Sequence, residues 1–340
     1  MKKTVSGIML TLLLIGMLTL TFNITPVVAT DSLNDPLGTP NSSDPNLPGD
    51  HPPTTYFMWT GHGGLKISAI GSPAAPNPSG SFNISGIPAG SSIVKAVMYT
   101  TSFEQSPVSV SATLSGNALS AVTPFAHDAG TGYSYYDLCS WRWDVTAIVT
   151  GDGIYPFTTS GMAGQAFLSA LVVVYSNPSE PLRQVIINDG AESLYAETGT
   201  ETSTSTFSNV QAGTGTLIIC TSADDSLGTS ESISFNGIVI LGPGDVFWGN
   251  LGYPAGLFHL SVSAVAGTNT VNVTTDIDWI GWHIAILISE LPPPACMPVG
   301  GYSFPIQVQT KTEPIIPYIA LIATLTAIFT KLRPKTKRKR

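Results

Sequence analysis

The sequence predicts an all-β protein with two tandem β-sandwich modules, an N-terminal signal peptide and a C-terminal single transmembrane helix. Short runs rich in β-branched residues alternate with Gly, Pro, Ser and Thr over most of the 340 residues, which is typical of strands joined by turns. An internal repeat indicates two copies of one module, and apolar segments lie near both ends of the chain. Only 11% of the residues are charged. These features favour an exported surface protein.

The N-terminal segment has the pattern of a secretory signal peptide, predicted over residues 1–29. Two lysines come first, residues 8–20 are apolar, and residues 27–29 (VVA) form a small-residue cleavage site. The next segment, residues 30–54, is rich in Pro, Asp, Ser and Asn and has little to bury. We therefore predict a disordered spacer there.

The C-terminal segment is predicted to hold the protein in a membrane. Residues 292–313 are a Pro- and Gly-containing stalk, and residues 314–332 are mostly apolar. About 18 such residues form a helix of about 27 Å, close to the thickness of the hydrocarbon core of a bilayer. Residues 333–340 are strongly basic and mark the cytoplasmic side. We expect a single-pass protein with an extracellular ectodomain; whether a sorting enzyme removes the helix stays open.

The charge of the predicted ectodomain excludes one class of partner. Residues 30–310 contain four basic side chains against 21 acidic ones, which gives a net charge of −17. Binding of nucleic acid depends on neutralising phosphates with Lys and Arg. We therefore expect no nucleic-acid partner.

An internal repeat predicts that the ectodomain is duplicated. Residues 95–116 align without a gap on residues 216–237, and flanking landmarks follow in the same order. Ordered self-similarity at a fixed period is typical of duplicated modules, although Ser/Thr-rich β sequences also resemble one another by chance. We predict sandwich modules over residues 55–178 and 182–291. The proline-rich link between them predicts a semi-rigid, elongated arrangement.

Two segments carry a resemblance to a known family. Residues 144–160 (DVTAIVTGDGIYPFTTS) and 167–194 (FLSALVVVYSNPSEPLRQVIINDGAESL) contain the pieces DVT, GDGIY, LVVVY, PSEP and DGAE. They resemble the repeated signature of an uncharacterised β-sandwich module of surface proteins in archaea, methanogens among them, and in some bacteria. The resemblance implies an envelope or adhesion setting. It carries over no catalytic residue, because the family has no established chemistry.

Four short patterns predict local structure. Asp144 is placed to cap one helical turn over residues 145–149. The LVVVY run, residues 171–175, is apolar at every position, which indicates a central strand covered on both faces. The dipeptide at Asp189 and Gly190 predicts a tight turn. The sequence GHGG at residues 61–64 predicts a flexible turn between two strands.

The sequence gives little support for an enzyme. The five histidines are scattered outside any zinc motif, and no nucleophile elbow or phosphate-binding loop is present. We predict no catalytic residue and no cofactor beyond a candidate structural calcium ion. Its ligands would be Asp224, Asp225, Glu231, Asp276 and Asp278, because calcium binds six to eight oxygen atoms that neighbouring loops can supply. The alternative is a solvated acidic loop.

Two further sets of residues suggest contact with glycans. Trp141 and Trp143 alternate, so both side chains would share one face of a strand and could form a flat platform for sugar rings; packing in the core is the alternative. Asn41, Asn83 and Asn272 each begin an N-x-S/T sequence and are candidate glycosylation sites, although such triplets also arise by chance.

Cys139, Cys220 and Cys296 are odd in number, so at most one disulfide can form within the chain, and its status stays open.

Together these features predict a membrane-anchored extracellular structural and adhesive protein of the cell surface. Its expected partners are the membrane and components of the cell envelope or matrix, including glycans. The alternatives are a surface-displayed carbohydrate-binding module or, third, a glycan-acting hydrolase.

Overall fold

The structure is a computed structural model, and it describes residues 51–129, 137–196, 199–223, 228–247, 250, 251, 253–276 and 278–292. These residues form seventeen strands and no helix, so the predicted all-β fold is confirmed. The predicted signal peptide, nearly all of the spacer, the stalk from residue 293, the transmembrane segment and the basic tail lie outside the described residues. In the part of the chain that is described, no helix is long and apolar enough to cross a membrane.

The strands fall into two consecutive sets. The first set is β1 His51–Ala75, β2 Ser79–Ile84, β3 Ser92–Glu104, β4 Val110–Leu114, β5 Asn117–Val122, β6 Ala126–Asp128, β7 Asp137–Asp144, β8 Gly153–Ser160 and β9 Gln165–Ser176. The second set is β10 Leu182–Leu194, β11 Glu201–Val210, β12 Gly213–Ser222, β13 Glu231–Phe235, β14 Ile238–Gly244, β15 Ala255–Ala264, β16 Gly267–Thr275 and β17 Ile280–Glu290.

The strands form one large sheet and two smaller ones. The large sheet has nine strands in the order β15-β12-β17-β10-β1-β9-β3-β7-β6, and the smaller sheets have the orders β2-β8-β4-β5 and β11-β16-β13-β14. The order β1-β9-β3-β7 in the first half therefore matches β10-β17-β12-β15 in the second half. The turns match too: Ser115 and Gly116 have φ of 49° and 78°, and Asn236 and Gly237 have φ of 51° and 79°. Strand order and turn geometry thus follow the internal repeat.

Strand β1 connects the two halves. Its residues 51–62 pair with β10, and its residues from 63 onward pair with β9. At the crossing, the Asn177 amide donates to the His62 carbonyl (2.8 Å) and the Gly63 amide donates to the Pro181 carbonyl (3.3 Å). The prediction of a turn at residues 61–64 is therefore wrong. Backbone hydrogen bonds to residues 177 and 181 of the same chain continue through this segment and keep it in the strand.

Each half has its own core between the large sheet and a smaller one. In the first half, Met98 and Trp141 from the large sheet pack with Phe157 from β8. In the second half, Leu217 and Trp282 pack with Phe207 of β11. These contacts bury one face of each half of the large sheet, as the alternating sequence pattern requires.

A third core lies between the two halves of the large sheet. It contains Tyr99 and Val172 from the first half and Ile218, Ile284 and Ile286 from the second, all at most 2% exposed. The large sheet therefore doubles back on itself, and the described residues form four β layers. The predicted elongated arrangement is wrong, because the inner faces of both halves are apolar and bury each other.

The predicted central strand is confirmed. In β9, Val172 packs in the third core, while Leu171 and Val173 pack in the core of the first half. A strand covered on both faces needs apolar residues at consecutive positions. The short helical turn is also present: the Asp144 carboxylate accepts from the Thr146 amide (2.9 Å), and the Val149 amide donates to the Val145 carbonyl (3.1 Å).

The tight turn predicted at Asp189 and Gly190 is wrong. Both residues lie inside β10, where the pairing register with β1 and with β17 shifts. A Cβ atom on Gly190 would lie 2.5 Å from the His51 carbonyl oxygen and 2.8 Å from the Pro53 nitrogen. The glycine is therefore needed for the close approach of two strands at a bulge and does not form a turn.

Candidate functional site

A polar cleft lies where β1 passes from one half of the molecule to the other. Its volume is about 680 Å³, and its walls come from β1, β9, β10, β12, β15 and β17. We call it the junction cleft. The polar side chains that characterise it are Lys66, Tyr175, Glu180, Arg183, Thr214, Thr216, Ser261, Ser263 and Glu290.

One wall of the junction cleft is a row of polar side chains across four neighbouring strands. Ser263 pairs with Thr214, Thr214 pairs with Glu290, and Glu290 pairs with Arg183. Directly paired residues of antiparallel strands lie on the same face of the sheet. The row therefore presents two hydroxyl groups, a carboxylate and a guanidinium side by side.

Arg183 organises the junction cleft. Its Nη1 atom donates to the Gly63 carbonyl and to the Glu180 carboxylate (2.8 Å), and its Nη2 atom donates to the Glu290 carboxylate (3.4 Å). The guanidinium thus stabilises the crossing of β1 and holds two carboxylates in the same cleft. The side chain is 21% exposed, so part of it faces solvent.

Tyr175 and Lys66 complete the polar lining. Burial raises the pKa of the Tyr175 phenol, and the Glu180 carboxylate raises it further. Of the basic side chains in the described ranges, Lys66 is the one that makes no ion pair with a carboxylate, whereas Lys95, Arg142 and Arg183 each make at least one. The Lys66 ammonium lies beside Gly86, where a Cβ atom would be 3.1 Å from it.

Two of the candidate calcium ligands, Glu231 and Asp276, accept hydrogen bonds from backbone amides. The buried Glu231 carboxylate accepts from the amides of Val246 (2.8 Å) and Phe247 (3.2 Å) through Oε2. Burial raises the pKa of Glu231 to about 7, and the neighbouring Asp278 carboxylate adds to that rise. The Asp276 carboxylate accepts from the amide and the hydroxyl group of Thr229.

Glu231 and Asp278 are thus near enough to interact electrostatically, and Asp276 lies on the same loop as Asp278, between β16 and β17. Within the described residues, no group of three or more His, Cys, Asp or Glu side chains has the geometry to hold a metal ion. Asp224 and Asp225 lie outside the described residues. The calcium site stays a prediction.

The predicted tryptophan platform is corrected by the structure. Trp141 is 0% exposed and Trp143 is 5% exposed, and their indole nitrogens donate to the carbonyls of Val108 (3.1 Å) and Ser120 (3.0 Å). Both rings fill the core of the first half, because the alternation that gives them a common face directs that face towards the smaller sheet. They offer no exposed face to a sugar.

The candidate glycosylation sites differ in accessibility. Asn83 is exposed on β2, and Asn272 is half-buried on β16, where its side-chain oxygen accepts from the Thr204 hydroxyl (2.9 Å). Asn41 lies outside the described residues. Glycosylation stays a prediction.

Cys139 and Cys220 are free and buried. Burial raises the pKa of both thiols, that of Cys220 to about 12, so both are protonated and unreactive in the folded protein. Cys296 lies outside the described residues.

A buried ion pair joins the two halves and was missed by sequence reasoning. The Arg142 guanidinium donates to both carboxylate oxygens of Asp189 (2.8 and 2.9 Å), and the Tyr99 hydroxyl donates to the same carboxylate (3.0 Å). The guanidinium also lies over the rings of Tyr56 and Phe125 at 3.8 and 4.4 Å. The strand pattern could have indicated this contact. Successive side chains of a strand point to opposite faces, so Arg142 faces away from Trp141 and Trp143 and towards the third core.

Solved structures give only distant similarities. A conserved protein of unknown function from Pseudomonas aeruginosa PAO1 is 13% identical, with 67% of this chain and 84% of that chain covered and a TM-score of 0.29. A β-porphyranase of glycoside hydrolase family 86 from Bacteroides plebeius is 10% identical (75% and 38% covered, TM-score 0.23). The major capsid protein P2 of bacteriophage PM2 is 12% identical (68% and 99% covered, TM-score 0.19). Similarities at these TM-scores carry no argument about function.

No curated protein matches the chain. A family model described as protein of unknown function (DUF3344) matches residues 47–284. The match extends over β1 to β16 and the first part of β17, so it includes both halves but ends before Ile288 and Glu290 of the junction cleft. The chain therefore belongs to the DUF3344 family.

Proposed function

We propose that the protein is an exported, membrane-anchored structural and adhesive protein of the cell surface, without an enzymatic role. The observation that carries this proposal is the edge strand β14. It lies at the end of the smaller sheet of the second half, and its residues Ile238 and Val239 are 69% and 54% exposed. An edge strand with exposed β-branched residues is suited to pairing with a strand of another molecule.

The outer surfaces support a structural role. Hydroxyl groups pair across strands at Thr113 and Thr158 (2.8 Å) and at Thr202 and Thr274 (2.8 Å). Such cross-strand pairs stabilise a sheet by a few tenths of a kcal/mol up to about 1 kcal/mol each. Short polar side chains thus pair across strands on the solvent faces of both smaller sheets, which suits a stable exposed body.

Export and anchoring are tested by treating intact cells with a protease. We expect the four-layer body to be accessible from outside, and the chain to stay with the membrane after a high-salt wash. Intact-mass measurement would show removal of residues 1–29. A chain found in the cytosol with these residues attached contradicts the proposal.

Adhesion is tested with the double variant Ile238→Lys, Val239→Lys. Lysine on an edge strand opposes pairing with another chain, so we expect cells with this variant to aggregate less than cells with the unchanged protein. Ser160→Lys is the control, because Ser160 is exposed on β8, an interior strand of a smaller sheet. Equal aggregation by all three forms argues against adhesion through β14.

A further inference from the structure

We propose that the junction cleft binds a saccharide that carries a carboxylate, such as a uronic acid residue of a polysaccharide. The inference concerns a site at the junction of the two halves, away from the smaller sheet that contains β14, and it does not depend on the adhesive role. It is carried by the polar row across four strands, by the charged side chains of the cleft and by Lys66, which makes no ion pair with a carboxylate of the described residues.

The polar row matches the hydrogen-bonding needs of a sugar. Every sugar hydroxyl group can both donate and accept. The row formed by Ser263, Thr214, Glu290 and Arg183 contains groups that do both, a group that only accepts and a group that only donates. Adjacent hydroxyls of a sugar ring can therefore each find a partner in this row.

A second row of the same wall adds two more hydroxyl groups. Ser261 pairs with Thr216, and Thr216 pairs with Ile288. The four hydroxyl side chains at 214, 216, 261 and 263 thus form a two-by-two array, with the apolar Ile288 beside it. A cleft of about 680 Å³ lies within the range of roughly 300–1,000 Å³ that small-ligand sites occupy.

The charge balance of the cleft selects the charge of the ligand. Glu180 and Glu290 both contact Arg183, so the guanidinium already has two carboxylate partners, whereas Lys66 makes no ion pair with any carboxylate of the described residues. Two of the four basic side chains of residues 30–310 line this one cleft, in a segment with a net charge of −17. A ligand with a dense row of negative charges would be repelled by that net charge. A carboxylate among neutral hydroxyl groups fits Lys66.

Glycine residues keep the cleft open. A Cβ atom on Gly64 would lie 2.9 Å from the Tyr175 hydroxyl oxygen and 3.3 Å from Arg183 Nη1. Gly86 likewise leaves room beside the Lys66 ammonium. Side chains at these positions would occupy the space in which a sugar ring can approach the polar groups.

The proposal is tested by titrating the full-length protein with oligomers of galacturonate, mannuronate and glucuronate, and with the neutral oligomers of galactose, mannose and glucose. Binding is followed by calorimetry. We expect at least one uronate oligomer to bind, and its neutral counterpart to bind at least about tenfold more weakly, because loss of a charged hydrogen bond changes affinity by about that factor or more.

Variants locate the site. We expect Lys66→Gln to weaken binding at least about tenfold and Lys66→Arg to retain it, because Arg keeps the charge. Ser261→Trp should abolish binding by filling the cleft from an exposed position, whereas Ser208→Trp, exposed on β11, should leave it unchanged. All variants alter exposed or half-buried side chains, so unchanged thermal midpoints are the check on folding.

Three results would overturn the proposal: no uronate oligomer binds, a neutral oligomer binds as tightly as its uronate counterpart, or binding is unchanged in both Lys66→Gln and Ser261→Trp. Failure of the adhesive role has a different readout, since cell aggregation depends on β14 and the saccharide titration uses the protein in solution.

Discussion

At the residue scale, the buried contacts between the two halves are polar as well as apolar. Asp189 of β10 accepts three hydrogen bonds from the first half, two from Arg142 and one from Tyr99. The Asp189 side chain is only 4% exposed. A buried ion pair contributes little net free energy compared with an apolar replacement, but loss of one partner leaves the other charge buried without compensation.

Replacement of Asp189 by Asn should therefore be costly. We expect Asp189→Asn to lower the free energy of unfolding by about 3–5 kcal/mol, because the Arg142 guanidinium stays buried while its counter-charge is lost. Asp144→Asn is the matched control: Asp144 pairs with Lys95, its side chain is 55% exposed, and the expected loss is less than about 1 kcal/mol. Denaturant unfolding measures both changes, and equal losses would contradict the argument.

His283 predicts a pH dependence of stability. Its ring nitrogens contact the hydroxyl groups of Ser140 (3.0 Å) and Ser222 (2.6 Å), and burial lowers its pKa from 6.5 to about 3. In the unfolded chain His283 binds a proton as the pH falls below 6.5, while in the folded protein His283 stays neutral until the pH approaches 3. The stability that depends on neutral His283 is therefore complete above pH 6.5 and is lost between pH 6.5 and 3.

The variant His283→Asn removes this titration. From pH 7.5 to pH 5, we expect the unchanged protein to lose about 2 kcal/mol more unfolding free energy than the variant does. Denaturant unfolding at both pH values measures the difference, and the remaining carboxyl groups cancel because both proteins contain them. Parallel pH profiles would show that His283 is not held neutral by the fold.

At the element scale, the strands show what sequence patterns can and cannot specify. The consecutive apolar residues of β9 predict a strand with two covered faces, because that pattern has few other uses in a β protein. The cap at Asp144 is equally local, since it needs only the amide two residues later. Both features depend on neighbours in sequence, so a short window contains the information.

The course of β1 and the role of Gly190 depend on residues far away in sequence. Residues 61–64 remain in a strand because residues 182–183 of β10 and 175–176 of β9 pair with them. Gly190 lies at a bulge because His51 and Pro53 approach it. The junction cleft likewise combines side chains from Lys66 to Glu290. No local pattern contains these distances, which is why sequence reasoning placed turns in both strands and did not find the cleft.

The close approach at Gly190 gives a test at this scale. Gly190→Ala would place a methyl group against backbone atoms of His51 and Pro53, which cannot move without separating β1 from β10. We expect Gly190→Ala to lower the free energy of unfolding by about 1–3 kcal/mol or more, as overpacking of a core does. Gly90→Ala is the control: its φ is 79° and nothing lies within 4 Å of its Cβ position, so only backbone strain of about 1 kcal/mol applies. Thermal unfolding compares the two variants.

At the scale of the whole molecule, the third core makes the two halves one cooperative unit. Ile284 and Ile286 of the second half pack in the same cluster as Val97, Tyr99 and Val172 of the first. Separate modules on a linker would instead have polar inner faces. Because the apolar inner faces cover each other, we expect neither half to unfold while the other stays folded.

The two buried cysteines report on this cooperativity, because Cys139 lies in the first half and Cys220 in the second. Cys139 packs in the core of the first half, so its labelling reports opening of that half. Cys220 packs in the third core, so its labelling reports separation of the two halves or opening of the second half. Ile286→Ala should lower the free energy of unfolding by about 2–5 kcal/mol, and pulsed thiol labelling with peptide mapping should show Cys139 and Cys220 becoming accessible together. Phe157→Leu, in the core of the first half, should likewise affect both cysteines. If Ile286→Ala exposes Cys220 while Cys139 stays protected, the halves are independent domains.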